Sequence, residues 1–392
     1  MSKHHSHINS AIAVLSGYEG KSAFSYVLKA FFRENKKYGS KDRKQISNLC
    51  YSYFRAVRVL DSDMGLEDKI TLAYFLCNTG DNYFIGALKP EWLPDINLSI
   101  RDKFEKFGLD VQKLFPQVDA LEEGIDKTSF SYSHFTQPDL FLRIRPNQEE
   151  QVKNKLTKAG FEFKQLEAGC LALPNTSQLR DVLKINKEAV VQDYSSQRVG
   201  GLFDRIKSLL PAGIKKPKVW DCCVASGGKT ILAVDRLGET DLTLSDVRPT
   251  MIQNLKERLR EAQIGRYSCH VLDLTDTKNL EVLGEFDIII ADVPCSGSGT
   301  WGRNPENLLH FDTNEIERYA ELQKTIVQNV QTKLSDGGFL VYITCSVYGQ
   351  ENSGLVSHLI ANTSLKLIES QVLLGESFRS DSMFVALLRK GS

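Results

Sequence analysis

Two cysteines, Cys295 and Cys345, each follow directly on an apolar run, and the reactive side chains of this sequence are concentrated there. Ile288-Ile289-Ile290-Ala291-Asp292-Val293-Pro294 leads into the first, and Gly338-Phe339-Leu340-Val341-Tyr342-Ile343-Thr344 into the second. Apolar runs of this kind, bounded by turn residues, predict buried parallel strands. In an open α/β sheet, reacting groups collect outside the carboxyl ends of the strands. Two thiols delivered there, without metal-ligand spacing, predict covalent chemistry on an electrophilic carbon, and hence an enzyme. One cysteine in a strand is more often a small buried hydrophobe. Two of them, in Pro-Cys-Ser-Gly and Thr-Cys-Ser settings, weigh against that blander reading.

A second constellation lies upstream, in Asp221-Cys222-Cys223-Val224-Ala225-Ser226-Gly227-Gly228-Lys229-Thr230. Small residues and paired glycines let the backbone approach a ligand at a helix N-terminus. A P-loop is excluded, because Cys223 stands where its first glycine is needed, and the G-x-G-x-x-G fingerprint is missing as well. Asp246 is expected to end the next strand, where a carboxylate accepts hydrogen bonds from two ribose hydroxyls. Asp273 is expected to end the one after, within reach of an adenine amine. Either aspartate alone is equally well read as a helix cap. Together they describe an adenosine pocket built for something other than a triphosphate.

The elements that must position these residues follow a strand–helix rhythm. Strands are expected near 219–223, 242–247, 268–274, 286–293 and 339–345, with helices over 250–262 and 316–334. Segments 365–374 and 383–388 can close the sheet as an antiparallel pair. The alternation predicts a doubly wound, Rossmann-like α/β domain over 206–392. Residues 1–125 read as all-α, since Phe24, Val27, Leu28 and Phe31 recur at helical spacing, as do Ile46, Leu49, Tyr53 and Val57. Residues 126–205 read as a small α+β module, with a strand at 141–145, a charged helix at 149–159 and two short strands within 161–173.

A chain of 392 residues suggests two or three domains, at roughly 100–200 residues each. Its 42% hydrophobic and 25% charged residues place it in the ordinary globular class. The 49 basic and 49 acidic residues cancel, so net charge does not argue for nucleic acid. The charge is unevenly spread, however: residues 1–60 hold eleven Lys and Arg against Glu19, Glu34 and Asp42. The densest stretch, 33–44, is a candidate phosphate-contacting patch, with a solvated helix face as the plainer reading. None of the eight cysteines falls in a C-x-x-C pair or a zinc-spaced cluster, so no metal is expected. His4, His5 and His7 lie in a terminus expected to be unstructured and are given no role. With no signal peptide and no apolar run long enough to span a bilayer, a cytoplasmic chain with reduced thiols is expected. Cys50, Cys77, Cys170 and Cys269 are expected to be structural.

The third part resembles the RsmB/Sun family of S-adenosylmethionine-dependent RNA cytosine-C5 methyltransferases, most closely its bacterial 16S ribosomal RNA type. The likeness rests on the motif order: residues 221–230, Asp246, Asp273, Asp292-Val293-Pro294-Cys295-Ser296-Gly297-Ser298-Gly299, then Thr344-Cys345-Ser346 and Glu351-Asn352. It continues upstream through Val191-Gln192-Asp193 and Ser196-Gln197. The stretch from Lys41-Asp42-Arg43 to Arg58-Val59-Leu60-Asp61 is similar to a NusB-like helical RNA-binding domain. Departures from the family pattern are Val224, Ser226, Gly302, Gly349, Ser353 and, in the middle module, Arg145. None of them removes a reacting group.

The resemblance implies S-adenosyl-L-methionine held by Cys223, Val224, Ala225, Ser226, Gly227, Gly228, Lys229, Asp246, Asp273 and Asp292. It implies Cys345 as the nucleophile at cytosine C6, Cys295 as the thiol that assists resolution, Asp292 on cytosine N3 and its amine, and Lys229 as the active-site lysine. RNA, ribosomal in the first instance, is the expected partner of a monomeric chain, with neither DNA nor membrane. A Pro-Cys nucleophile without the Thr-Cys cysteine is the DNA arrangement, so Cys345 favours RNA. Two alternatives stay open: the same chemistry on transfer RNA, or a non-catalytic RNA-binding or ribosome-assembly factor.

Overall fold

The computed structural model describes residues 3–80 and 82–391. They group into two compact units. The first takes in the chain through Leu121, Ile125–Gln137 and Trp301–Thr313, and the second takes in Glu122–Gly124, Pro138–Thr300 and the chain from Asn314. The small α+β sheet thus packs within the second unit, and 301–313 joins the helices.

In the helical unit the first helix, Lys3–Ser16, buries Ile8, Ala11, Val14 and Leu15 on one stripe. The terminus expected to be unstructured is therefore helical, because that stripe has a core to pack against. His7 within it is buried, its Nε2 3.1 Å from Asp42 Oδ1. The helices Phe24–Glu34 and Ser40–Ala56 bury Phe24, Leu28 and Phe32, and Ile46, Leu49, Cys50 and Phe54. The segment 301–313 is held by contacts that no local spacing announces. Trp301 stacks on Phe115 with ring centroids 5.0 Å apart. The buried guanidinium of Arg55 donates to the carbonyls of His134 at 2.6 Å and Gly302 at 2.7 Å. Glu306 Oε1 accepts from Phe24 N at 3.0 Å. On the surface, Arg33, Lys36, Lys37, Lys41, Arg43 and Lys44 are all exposed.

The second unit holds two sheets. Strands β1 (Leu140–Ile144), β2 (Lys164–Glu167), β3 (Cys170–Leu173) and β4 (Ala189–Val191) form an antiparallel sheet in the order β2-β3-β1-β4. Arg145, a departure from the family pattern, is consumed internally: it pairs with Asp235 at 2.8 Å and donates to the carbonyls of Asn186 and Ala262.

The larger sheet contains β5 (Lys218–Asp221), β6 (Asp241–Asp246), β7 (Ser268–Val271), β8 (Phe286–Asp292), β9 (Leu334–Thr344), β10 (Leu365–Leu373) and β11 (Met383–Lys390), in the order β10-β11-β9-β8-β5-β6-β7. β5 to β9 run parallel, and β11 is antiparallel between β9 and β10. Helices cover both faces, so alternate residues enter separate cores. Val219, Ile288, Ile290, Val341 and Ile343 pack on one side, and Trp220, Ile289, Ala291, Leu340 and Tyr342 on the other. After β7 the chain returns to lay β8 against the opposite edge of β5. The β5/β8 boundary is therefore the topological switch point, where ligands bind in open α/β sheets.

Candidate active site

The sequence-predicted residues gather at the carboxyl ends of the parallel strands. Asp221 ends β5, Asp246 ends β6, Asp292 ends β8, and Cys345 follows the last residue of β9. The two sulfurs lie 3.2 Å apart as free thiols. Lys229, the second residue of the helix Gly228–Leu237, donates from Nζ to Asp292 Oδ2 at 3.1 Å across the switch point. The four residues proposed for catalysis are thus two contacting pairs at the ends of β5, β8 and β9.

The two cysteines stand in different electrostatic settings. The Cys295 thiol is pushed well above its ordinary value, first by its hydrogen bond with Cys345, then by burial and by the charge of Glu351. Burial likewise pushes up Cys50, Cys77, Cys170 and Cys269.

The loop over 222–227 is tight. Gly227 has φ +78°, and a Cβ there would lie 2.4 Å from Leu255 Cδ1. Ala225 adopts φ 42°, a left-handed conformation that costs a non-glycine residue strain. That geometry aims the Ala225 amide at Asp246 Oδ2, 3.0 Å away. Asp246 Oδ1 accepts from the Arg248 amide and Nε, at 2.9 and 3.0 Å. Burial raises the Asp246 carboxyl, but the hydrogen bonds from Arg248 and Ala225 prevail and hold it below its ordinary range. Arg248 is over half exposed, so its side chain can yield the carboxylate to a competing donor.

Asp273 does not end its strand: β7 stops at Val271. Its exposed carboxylate accepts from the Thr275 amide at 3.0 Å and hydroxyl at 2.7 Å, which turns the chain out of the sheet two residues after the strand. Neither aspartate caps a helix by its side chain. Arg248 is the N-cap before Pro249–Glu261, and Asp276 caps the short helix Thr277–Leu280. Among the described residues no group of three or more His, Cys, Asp or Glu side chains is placed to hold a metal ion.

Two buried polar residues carry more of the site than sequence reasoning assigned them. Asp221 accepts from Thr230 Oγ1 at 2.6 Å. Burial pushes its carboxyl from 3.8 up to about 7, against the pull of that hydroxyl. A folded-state value raised above the unfolded one means that the folded protein binds the extra proton, so stability falls as pH rises between the two values and levels off above the higher. Asp221→Asn, which cannot ionise, should therefore gain stability relative to the native chain between about pH 4 and pH 7, on the order of 1.4 kcal/mol per pH unit at most. Thermal unfolding of both proteins across that range checks this; a pH-independent difference would refute it. Gln323 is the second: it interrupts the apolar stripe Ile316, Ala320, Ile326, Val327 and Val330 of the helix Glu315–Val330, yet is fully buried. A polar residue at a core position of a regular stripe is the signal that points to it.

The larger sheet with its flanking helices is a Rossmann-like methyltransferase fold. Residues 208–382 match the family described as 16S rRNA methyltransferase RsmB/F. Ribosomal RNA small subunit methyltransferase B of Xanthomonas campestris pv. campestris is 30% identical over 175 residues, covering 44% of this chain and 38% of the relative. The protein of the same name from Pasteurella multocida is 29% identical over 57% of this chain and 50% of its own. The 28S rRNA (cytosine-C(5))-methyltransferase of Mus musculus is 27% identical over 43% of this chain and 22% of its own. The chain spans between 38% and 41% of the first bacterial relatives it matches. Among solved structures, PH0851 shares the fold over the full length of both chains at a TM-score of 0.68 and 18% identity. NSun6 from Pyrococcus horikoshii with SFG covers 71% of this chain and is itself covered to 99%, at a TM-score of 0.61 and 15% identity.

Proposed function

We propose that this chain transfers a methyl group from S-adenosylmethionine to C5 of a cytosine in ribosomal RNA. The observation that carries the reading is the contact of two free thiols, at 3.2 Å, beside the Lys229–Asp292 pair at the switch point. The names of the relatives supply the nucleic acid and the position methylated. The cofactor reading rests on the strained 222–227 loop and the Asp246 carboxylate, which fit a ribose without a triphosphate. When bound, the cofactor supplies an electrophilic methyl group.

Cytosine C5 is a weak nucleophile. A Cys345 thiolate adding at C6 forms an S–C6 bond and makes C5 enamine-like. Asp292, steadied by Lys229, is placed to hydrogen-bond N3 and the exocyclic amine as the ring gains electron density. After methylation, C5 loses its proton, the S–C6 bond breaks and Cys345 is regenerated, with Cys295 assisting. A cytosine in structured RNA must leave its stack to reach both sulfurs. The helical part over 1–125 would capture RNA, the 126–205 module would orient it, and 206–392 would carry the chemistry. No helix among the described residues is long and apolar enough to cross a membrane. Methyl transfer from labelled cofactor to ribosomal RNA, with bisulfite sequencing to locate the product, tests the reading; failure to label any RNA would leave an RNA-binding factor.

Two further outcomes follow. Asp246→Ala should weaken cofactor binding by about ten- to a hundredfold, since a hydrogen bond to a charged group contributes roughly 1.5–3 kcal/mol. Calorimetry with unchanged affinity would return Asp246 to holding the 222–227 loop only. Neutralising Arg33, Lys36, Lys37, Lys41, Arg43 and Lys44, all exposed, should weaken RNA binding and flatten its salt dependence, because each cation removed from a phosphate takes its counterion release with it. An unaltered salt slope would make this stretch an ordinary solvated face.

A further inference from the structure

One buried carboxylate ties the two thiol-bearing turns together. Glu351 is fully buried. Its Oε2 accepts from the amide of Ser296, the residue after Cys295, at 2.8 Å. Its Oε1 accepts from the hydroxyl of Ser346, the residue after Cys345, at 2.6 Å. Gln323 donates to both Glu351 Oε2 at 3.0 Å and the Pro294 carbonyl at 2.9 Å, so the peptide before Cys295 is gripped as well as the one after it. Tyr342 completes the frame, its hydroxyl donating to the Glu351 carbonyl at 2.6 Å. Buried carboxylates are costly unless their hydrogen bonds are met, and here three donors converge on one side chain with fixed directions.

We propose that Glu351 is a positioning residue for the two cysteines: it sets their separation by holding the residue that follows each, and its negative charge adds to what makes the two sulfurs unequal. The inference rests on the proposed two-thiol chemistry and goes further, since it names what makes two adjacent thiols unequal. Four titratable groups meet here: Cys345 and Glu351 act on Cys295, and Cys295 and Glu351 on the phenol of Tyr342. Burial and those charges push the Tyr342 phenol well up, so it stays neutral and contributes hydrogen bonds rather than charge.

Glu351→Gln separates the charge from the tie. Its carboxamide oxygen can still face Ser296 N and Gln323, and its amide can face Ser346 Oγ, whose hydroxyl turns to accept. Alkylation of the intact chain by iodoacetamide, with each cysteine followed by mass spectrometry across pH values around the ordinary thiol pKa of about 8.5, reads the outcome without RNA or cofactor. In the native chain Cys345 is expected to react at lower pH than Cys295. In Glu351→Gln the Cys295 profile should move down in pH and the gap between the two should narrow at least about threefold in relative rate. Glu351→Ala, which also loses the tie, should lower kcat about tenfold or more with KM for RNA unchanged. If it does not fold, the alkylation of Glu351→Gln still decides. An unchanged gap in Glu351→Gln, or equal reactivity of the two cysteines in the native chain, overturns the proposal. Because alkylation needs no substrate, that result is distinct from a failure of the chain to methylate RNA.

Discussion

Cys345→Ala is expected to lower methyl transfer by roughly a thousandfold or more and to leave no covalent RNA adduct, because no thiolate remains to attack C6. Cys295→Ala should behave differently. Cys345 can still add and the methyl can still be transferred, but resolution slows, and a methylated protein–RNA adduct should accumulate as a denaturant-resistant shifted band. The asymmetry has a counterpart in the structure: the Cys295 thiol is pushed well up, first by its hydrogen bond with Cys345, then by burial and the charge of Glu351. Removing Cys295 takes away the hydrogen-bond partner of the Cys345 sulfur without touching the attacking atom. Adduct from Cys345→Ala but not from Cys295→Ala would reverse the two roles. Full activity in both variants would end the covalent mechanism.

Gly299→Ala should have the second large effect, and for a reason of space alone. Gly299 donates its amide to the Cys345 carbonyl at 2.8 Å and accepts from the Ser382 amide at 2.9 Å, stitching the Cys295 turn, the Cys345 turn and the residue before β11 into one backbone assembly. A Cβ at this position would lie 1.9 Å from the Ser382 carbonyl oxygen and 3.0 Å from that of Cys345. Both obstacles are backbone, so no side chain can swing aside. The expected cost is ~3 kcal/mol or more, since even side-chain overpacking in a well-packed core costs about 1–3 kcal/mol. That corresponds to a fall of roughly 6–12 °C in the unfolding midpoint of a unit this size. Methyl transfer should fail while cofactor affinity holds, because the 222–227 loop leads out of β5 and Asp246 ends β6, away from the β8–β9 turns that Gly299 joins. Thermal unfolding, calorimetry and a transfer assay on the one variant read all three; a native midpoint with native activity would show that the assembly tolerates a displaced turn.

The legible parts of this chain are those in which local residue type and spacing are enough. β8 and β9 announce themselves because strands buried on both faces need uninterrupted apolar runs, and Ile288 to Ile290 and Leu340 to Ile343 supply them. Cys295, Cys345 and Asp292 could be placed at strand ends for the same reason. Less was legible where a contact joins residues far apart in sequence. Trp301 and Glu306 join the helical unit through Phe115 and the Phe24 amide, and nothing near position 301 in the sequence points to either partner. The first helix is hard to read because three histidines and three serines mask the apolar stripe that a tertiary core selects. Asp273 was displaced from its strand end by two hydrogen bonds to Thr275, a local competition that apolar patterning does not weigh.

By itself the sequence determined where the groups proposed for chemistry stand along the chain: two thiols, a lysine and a set of aspartates, near the ends of strand-like runs or in a glycine-bearing loop. Residue types and strand periodicity are properties of the chain and need no partner to be read. Only the tertiary structure decided that the two sulfurs meet at 3.2 Å, that Lys229 reaches Asp292, and that Glu351 and Gln323 lie beneath both turns. Strand order makes that decision. β8 pairs with β5 on one side and β9 on the other, although β5 and β8 are separated in sequence by two strands and their helices. Adjacent parallel strands lie about 4.8 Å apart, so side chains at neighbouring strand ends are within bonding reach of one another whatever their distance along the chain.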